Sequence, residues 1–174
     1  DEFNAFDTFN YPHLCEAGVN FNFNEHNILK PDFTKPMLPH FELDNNVIIF
    51  SLFPGIEEHL IHHMFDAPEL RSIVMRSYGS GNAPQQPWLM NLLRKVTERN
   101  VIVVNISQCI SGQVEMNRYD TGYQLKDAGV ISGYDSTVEA AVTKLMYLQA
   151  KYNDTETIRK YINQSIAGEI TIYN

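Results

Sequence analysis

The stretch VIIFSLFPG, Val47 to Gly55, decides how the chain folds. Its first seven residues carry no charge, and it ends at a Pro-Gly turn signal. A strand with one wet face alternates apolar and polar residues. A run that is apolar at nearly every position is covered on both faces, and such strands belong to parallel sheets sandwiched between helices. Two further runs repeat the pattern, SIVMRSY (Ser72 to Tyr78) and VIVVNI (Val101 to Ile106). Helical patterns separate them. IEEHLIHHMF places Leu60, Ile61, Met64 and Phe65 on one side. A second helix starts near Pro84 or Pro87, since proline is tolerated in a first turn whose N–H groups are unpaired, and it buries Leu89, Leu92, Leu93 and Val96. The order predicts an α/β class: a Rossmann-like open parallel sheet of about four strands flanked by helices.

Toward the C-terminus the alternation weakens. SQCISGQVEMNRYDTG reads as a loop with a short pairing around Gln113 to Met116. TGYQLKDAG reads as a short helix closed by Gly129, and VIS, Val130 to Ser132, as a minimal fourth strand. In DSTVEAAVTKLMYLQAKY, Ser136 and Glu139 have capping-box spacing, and Val138, Val142 and Leu145 face the core. A last helix starts near Asp154, buries Ile158 and Ile162, and stops by Gly168. Toward the N-terminus, residues 1–46 are irregular. VNFNFNE, Val19 to Glu25, alternates with period two and reads as a short strand. LKPDFTKPMLPH is excluded from a helix by Pro31, Pro36 and Pro39, which leaves an extended arm before the sheet.

Composition narrows the function classes. A net charge of −8 disfavours a nucleic-acid surface, which needs a basic patch. No apolar run approaches a membrane span. Cys15 and Cys109 are far apart and form no metal motif, so a reduced, cytoplasmic protein is the simplest reading, with one disulfide also compatible. There is neither an initiator Met nor a signal peptide, which fits a fragment and equally a trimmed terminus.

Ligands of such sheets bind outside the carboxyl ends of the strands, which here means FPGIEE, SYGSGNAPQ and SQCISG. In GSGN, Gly79 and Gly81 permit unusual backbone angles and close approach to a ligand. A dinucleotide fingerprint would need a third glycine where Pro84 stands, and the P-loop lysine is absent. A tight strand-to-helix turn is the plainer reading. Asn82 offers both a donor and an acceptor, which suits a small zwitterionic or amide ligand. His59, His62 and His63 share a predicted helix, and His59 and His63 sit one turn apart, but no third metal ligand appears at a useful spacing, so a solvated helix face is the default. Neither Cys15 nor Cys109 has a histidine partner at a recognised spacing. Asp120, Asp127 and Asp135 could pair as acids, though around loops they more often serve as caps and solvated charges.

FPGI, RSYGSGNAPQ, VIVVNISQCISGQVEMNRYDTGYQLKDAGVISGYDSTVEAAVTKLMYL and AGEIT together resemble the C-terminal domain of type I (cytoplasmic) bacterial L-asparaginase. FDTFNYPHLCEAGV resembles the end of that family's N-terminal domain, so the resemblance covers essentially the whole chain. It implies the end of an N-terminal domain at 1–30, a linker at 31–46 and the C-terminal domain at 47–174. It also implies hydrolysis of L-asparagine to L-aspartate and ammonia by a threonine nucleophile in a Thr-Asp-Lys set, without metal or cofactor. In the family those groups occupy G-T-I-G-like and D-G-T-D-T-like motifs of the N-terminal domain. Neither motif occurs here, and FDTF around Thr8 is no substitute, so no catalytic residue is expected in this chain. The resemblance gives Asn82 as the residue offered to a neighbouring subunit's active site, with Gly79 and Gly81 shaping its loop. It places Arg76 and Cys109 at a separate asparagine effector site, and it implies a homodimer or homotetramer for the parent. Arginine suits an effector carboxylate because its fork pairs bidentately; the plain alternative is an ion pair with a local acid.

Two other readings remain open on the residues. One is a stand-alone small-molecule-binding or regulatory module, which would explain the missing nucleophile. The other is the asparaginase-like subunit of a glutamyl-tRNA amidotransferase. Sequence upstream of Asp1 discriminates among the three.

Overall fold

The computed structural model describes residues 8–117 and 120–171. Phe6 and Asp7 of FDTF, and Arg118 and Tyr119 of NRYDTG, lie outside the described residues. The chain divides into two units, Asp1–Phe41 and Glu42–Asn174.

The first unit contains one antiparallel pair, β1 (Cys15–Ala17) and β2 (Phe21–Phe23), with Cys15 opposite Phe23 and Ala17 opposite Phe21. β2 falls inside the expected Val19–Glu25 strand but is shorter. β1 was not anticipated, because CEA is too short to show a period. From Pro31 to Phe41 no helix or strand forms, as three prolines require.

The second unit runs β3 (Val47–Ser51), α1 (Glu58–Phe65), β4 (Ser72–Ser77), α2 (Pro87–Glu98), β5 (Ile102–Ser107), α3 (Asp120–Asp127), β6 (Ile131–Ser132), α4 (Val138–Lys151) and α5 (Thr155–Ile162). The four strands form one parallel sheet in the order β3-β4-β5-β6. The pleat explains why the apolar runs are unbroken. Phe50, Leu52, Ile73, Met75 and Val103 point to one face, where α1, α2 and α3 cover them with Ile61, Phe65, Leu89, Leu93 and Leu125. Val74, Ile102, Val104 and Ile106 point to the other, under Ala141, Leu145 and Leu148 of α4 and Ile158 and Ile162 of α5. Each such buried Val, Leu, Ile, Phe or Met side chain contributes about 1.5 to 3 kcal/mol.

Several boundaries differ from expectation. β3 ends at Ser51, two residues early, although the Leu52 N–H still reaches the Arg76 carbonyl. α2 starts at Pro87 rather than Pro84. In α1 only Ile61 and Phe65 are buried, while Leu60 and Met64 are 60% and 42% exposed, because the sheet contacts one narrow stripe of this eight-residue helix. Helix α4 is capped by Thr137, whose side chain accepts the Ala140 N–H, and not by Ser136. Gln113 to Met116 forms no strand. Its Val114 and Glu115 N–H groups instead bond singly to the carbonyls of Tyr134 and Ser80.

The C-terminal segment is held by a buried ion pair. Lys144 Nζ of α4 lies 2.6 Å from Glu169 Oε1 and also donates to the Ile162 carbonyl. Glu169 in turn accepts the N–H groups of Ile166 and Ala167, which fixes AGEIT against the second helical layer.

Candidate functional site

Because the strands are parallel, the chain leaves Ser51, Ser77, Ser107 and Ser132 at one edge of the sheet, and the candidate loops gather there. GSGN forms a tight reversal closed by mutual bonds between Tyr78 and Asn82, at 2.9 and 2.8 Å. Gly79 has φ +50° and Gly81 φ +106°. At Gly81 a Cβ would also lie 2.7 Å from Val114 Cγ1, so both backbone angle and space require glycine. Three successive carbonyls of the loop are each engaged. Ser107 Oγ donates to Gly79 O at 2.6 Å, the Glu115 N–H to Ser80 O at 2.9 Å, and Asn105 Nδ2 to Gly81 O at 3.2 Å. Gly81 and Asn82 turn their N–H groups onto the Tyr78 carbonyl, and α2 begins only at Pro87, so the loop does not open into a helix N-terminus as a phosphate-binding turn does.

This clamping leaves Asn82 half-buried at the loop's end. Its Oδ1 accepts from Thr121 Oγ1 at 3.0 Å, and among the described residues no acceptor is bonded to its Nδ2. Asn82 therefore presents an N–H donor on a rigid support.

Arg76 lies on β4 between Ser51 and Ile106 of the flanking strands. The pleat turns its side chain to the face of Val74 and Ile106, opposite to the face holding Asn105 and the Val103 cluster. Its Nε is buried without a hydrogen-bond partner, and among the described residues no carboxylate forms an ion pair with it. Cys109 is an exposed free thiol whose N–H bonds to Ser107 Oγ at 2.9 Å. Gln108, which precedes Cys109, donates its Nε2 to the Leu52 and Arg76 carbonyls at 2.6 and 2.9 Å. The structure thus separates Asn82 and Arg76 onto opposite faces of the sheet edge, although six residues part them in sequence.

Three of the remaining candidates, His62, Asp127 and Asp135, have structural partners. His62 lies 3.0 Å from Glu58 and 3.5 Å from Asp66 on its own helix. Among the described residues no three His, Cys, Asp or Glu side chains gather as a metal site. Asp127 pairs with Arg94 at 2.9 Å, Asp135 accepts the Thr171 N–H at 2.7 Å, and Asp120 sits in the first turn of α3. A groove of about 650 Å³ beside β6 is lined by Gln113, Glu115, Lys126, Tyr134 and Asn163 among others, and by none of the candidate residues. Among the described residues no helix is long and apolar enough to cross a membrane.

Sequence reasoning missed Ser107, Gln108, Asn105 and Thr121. Polar residues interrupting an apolar strand end, as in NISQ, were the available signal for the first three. Nothing in the local pattern marked Thr121.

Residues 46–162 match the glutaminase/asparaginase C-terminal domain family. L-asparaginase 1 of Escherichia coli K12 is 39% identical over 179 residues, covering 98% of this chain and 50% of that protein. The crystal structure of L-asparaginase I from Vibrio cholerae superposes with a TM-score of 0.90 at 37% identity, covering 99% of this chain and 51% of that one. A subunit of the glutamyl-tRNA(Gln) amidotransferase of Methanobrevibacter smithii is 38% identical over 127 residues, covering 73% of this chain and 28% of that protein. The chain spans about half the length of the L-asparaginases it matches.

Proposed function

The chain belongs to the glutaminase/asparaginase C-terminal domain family, and from that premise we propose that it is the C-terminal half of an L-asparaginase, an amidohydrolase converting L-asparagine and water to L-aspartate and ammonia. The observation that carries this reading is the clamped GSGN loop, which presents Asn82 with a free donor at the carboxyl edge of a parallel sheet. In this reading residues 1–30 end the N-terminal domain, 31–46 link the halves, and the full-length protein is a cytoplasmic homo-oligomer.

The reaction adds a threonine hydroxyl to the substrate's amide carbonyl as a base takes its proton. Ammonia leaves from the adduct, and water then releases aspartate from the acyl-enzyme. The nucleophile and its base belong to the N-terminal half. This chain's part is positioning: Asn82 Nδ2, offered to a neighbouring subunit, donates to an acceptor oxygen of bound asparagine. Arg76, with its unsatisfied Nε, and Cys109 serve a second site that takes an asparagine carboxylate as effector.

The match to the amidotransferase supports a second reading, as the corresponding component of a tRNA-dependent enzyme, but it spans less of the chain than the asparaginase match. Ammonia release distinguishes the proposal. The 174-residue chain should release none from asparagine, and the full-length protein should release it without any tRNA. A full-length protein inactive on free asparagine contradicts the assignment.

A further inference from the structure

We infer that Asn105 is a positioning residue for this reaction: from the middle of the sheet its amide holds the Gly81 carbonyl and so fixes where Asn82, the next residue, stands. The inference rests on the reading that Asn82 is offered to an active site. Around Asn105 the strand is apolar, with Ile102, Val103, Val104 and Ile106, and Asn105 is as fully buried as they are. Among the described residues its side chain makes one hydrogen bond, from Nδ2 to the Gly81 carbonyl at 3.2 Å. Its Oδ1 is buried and has no hydrogen-bond partner among the described residues. Turning the amide over does not help, because a backbone carbonyl only accepts and Oδ1 would then oppose it. A buried acceptor left unpaired lowers stability, and an apolar side chain of similar shape would remove that loss. The contact that an amide makes here and a leucine would not is the one to the loop.

The support behind that contact is rigid. β5 lies between β4 and β6, with Asn105 opposite Met75 on one side and Ser132 on the other, and its own carbonyl accepts the Gly133 N–H at 2.7 Å. The Gly81 carbonyl and the Asn82 N–H belong to one planar peptide unit. Asn105 holds the carbonyl end, and the Tyr78 carbonyl accepts the N–H end at 2.8 Å. Gly81 is buried while Gly79, two residues earlier, is exposed. Without the amide, the Gly81 carbonyl must find water in its place, and water lies outward. A peptide unit that swings out turns the Asn82 N–H away from Tyr78 and carries the Asn82 side chain with it.

The test compares Asn105→Leu, Asn105→Val and Asn82→Ala in the full-length protein by kcat for asparagine, urea midpoint and amide hydrogen exchange. Leucine has nearly the shape of asparagine, and valine already stands at Val103 and Val104 of the same strand. Both Asn105 variants should lower kcat about tenfold while the midpoint stays the same or rises. Exchange should quicken about tenfold at Gly81 and Asn82 and stay unchanged in the strands. Asn105→Leu added to Asn82→Ala should cost little further kcat, since both act through one side chain. Wild-type kcat in both Asn105 variants beside an impaired Asn82→Ala overturns the inference and leaves the Asn82 reading standing. A midpoint that falls along with kcat, or failure of both variants to fold, assigns Asn105 to the core and also overturns it. Unchanged exchange at Gly81 and Asn82 contradicts it independently of activity. An unimpaired Asn82→Ala overturns the reading itself, and the inference with it.

Discussion

Ser107 Oγ lies 2.6 Å from the carbonyl oxygen of Gly79, and the same hydroxyl accepts the Cys109 N–H at 2.9 Å. One hydroxyl thus ties the end of β5 to the tip of the loop that carries Asn82. Ser107→Ala removes both bonds. It should cost about 1 kcal/mol of stability in urea titrations, as the net loss of such bonds usually does. Turnover of the full-length protein should fall further than that, because Asn82 loses part of its support. Ser107→Thr, which keeps the hydroxyl, should match wild type. A lowered midpoint with unchanged turnover would make Ser107 purely structural.

The two glycines of GSGN should respond differently to alanine. Gly79 has φ +50° with open space around it, so Gly79→Ala should cost about 1 kcal/mol from the left-handed backbone alone. Gly81 has φ +106°, and its added Cβ would meet Val114 Cγ1 at 2.7 Å, so Gly81→Ala should cost about 3 kcal/mol. Urea midpoints of the two variants decide this, and equal losses would mean that Val114 is not packed against the loop.

The sheet was legible because its central strands, β4 and β5, are buried on both faces. A strand covered twice carries little polar decoration, so Ser72 and Val101 announced their runs; the run from Val47 was expected to be covered twice as well, but β3 is an edge strand and leaves Ile49 50% exposed. The α1 stripe was overread because Leu60 and Met64 repeat at helical spacing while the sheet touches only Ile61 and Phe65. β1 escaped because three residues carry no period. At the site, Asn82, Gly79 and Gly81 stood out through residue type. Thr121 did not, since its bond to Asn82 joins positions 39 residues apart, which no local pattern shows. Nor could the sequence show that Arg76 and Asn82 face opposite sides, because that depends on where β4 ends and the reversal begins.

Glu169 gives an acid-sensitive contribution. Burial alone would raise its carboxyl pKa, but the Lys144 ammonium and the N–H groups of Ala167 and Ile166 outweigh burial and hold it below the ordinary 4.5. A carboxyl with a depressed folded pKa adds stability that is fully present above its unfolded value and is lost as pH falls through the folded one. Burial pulls the Lys144 ammonium below its ordinary value despite the Glu169 carboxylate beside it. Glu169→Gln strands a buried cation and should cost about 3 kcal/mol at neutral pH. The gap between wild type and variant should narrow as pH falls from about 5 to about 3, since wild type then loses the same charge. A gap independent of pH would rule out the ion pair as its source.

Arg76 bears on regulation. Ser107 and Gln108 are consecutive, and one bonds the Gly79 carbonyl while the other bonds that of Arg76, so the two faces share one backbone support. If Arg76 receives an effector carboxylate, the full-length protein should respond sigmoidally to asparagine. Arg76→Ala should make the curve hyperbolic with little loss of maximal rate. A charge-assisted contact is worth about 1.5 to 3 kcal/mol, comparable to a typical coupling energy. Saturation curves for both proteins in one buffer check this. Hyperbolic wild-type kinetics would end the effector assignment, and sigmoidal kinetics surviving the substitution would move the site elsewhere.

The central claim is that this half completes an active site in a neighbouring subunit through Asn82. Mixing two impaired full-length proteins tests it most directly: Asn82→Ala, and a variant disabled at the nucleophile of the N-terminal half. If sites form across subunits, co-assembled mixtures pair an intact N-terminal half from one chain with an intact Asn82 from the other. Random pairing in equal amounts should then recover about a quarter of wild-type ammonia release, since half the pairs are mixed and each holds one working site. Activity no greater than the sum of the two variants measured apart would contradict the account.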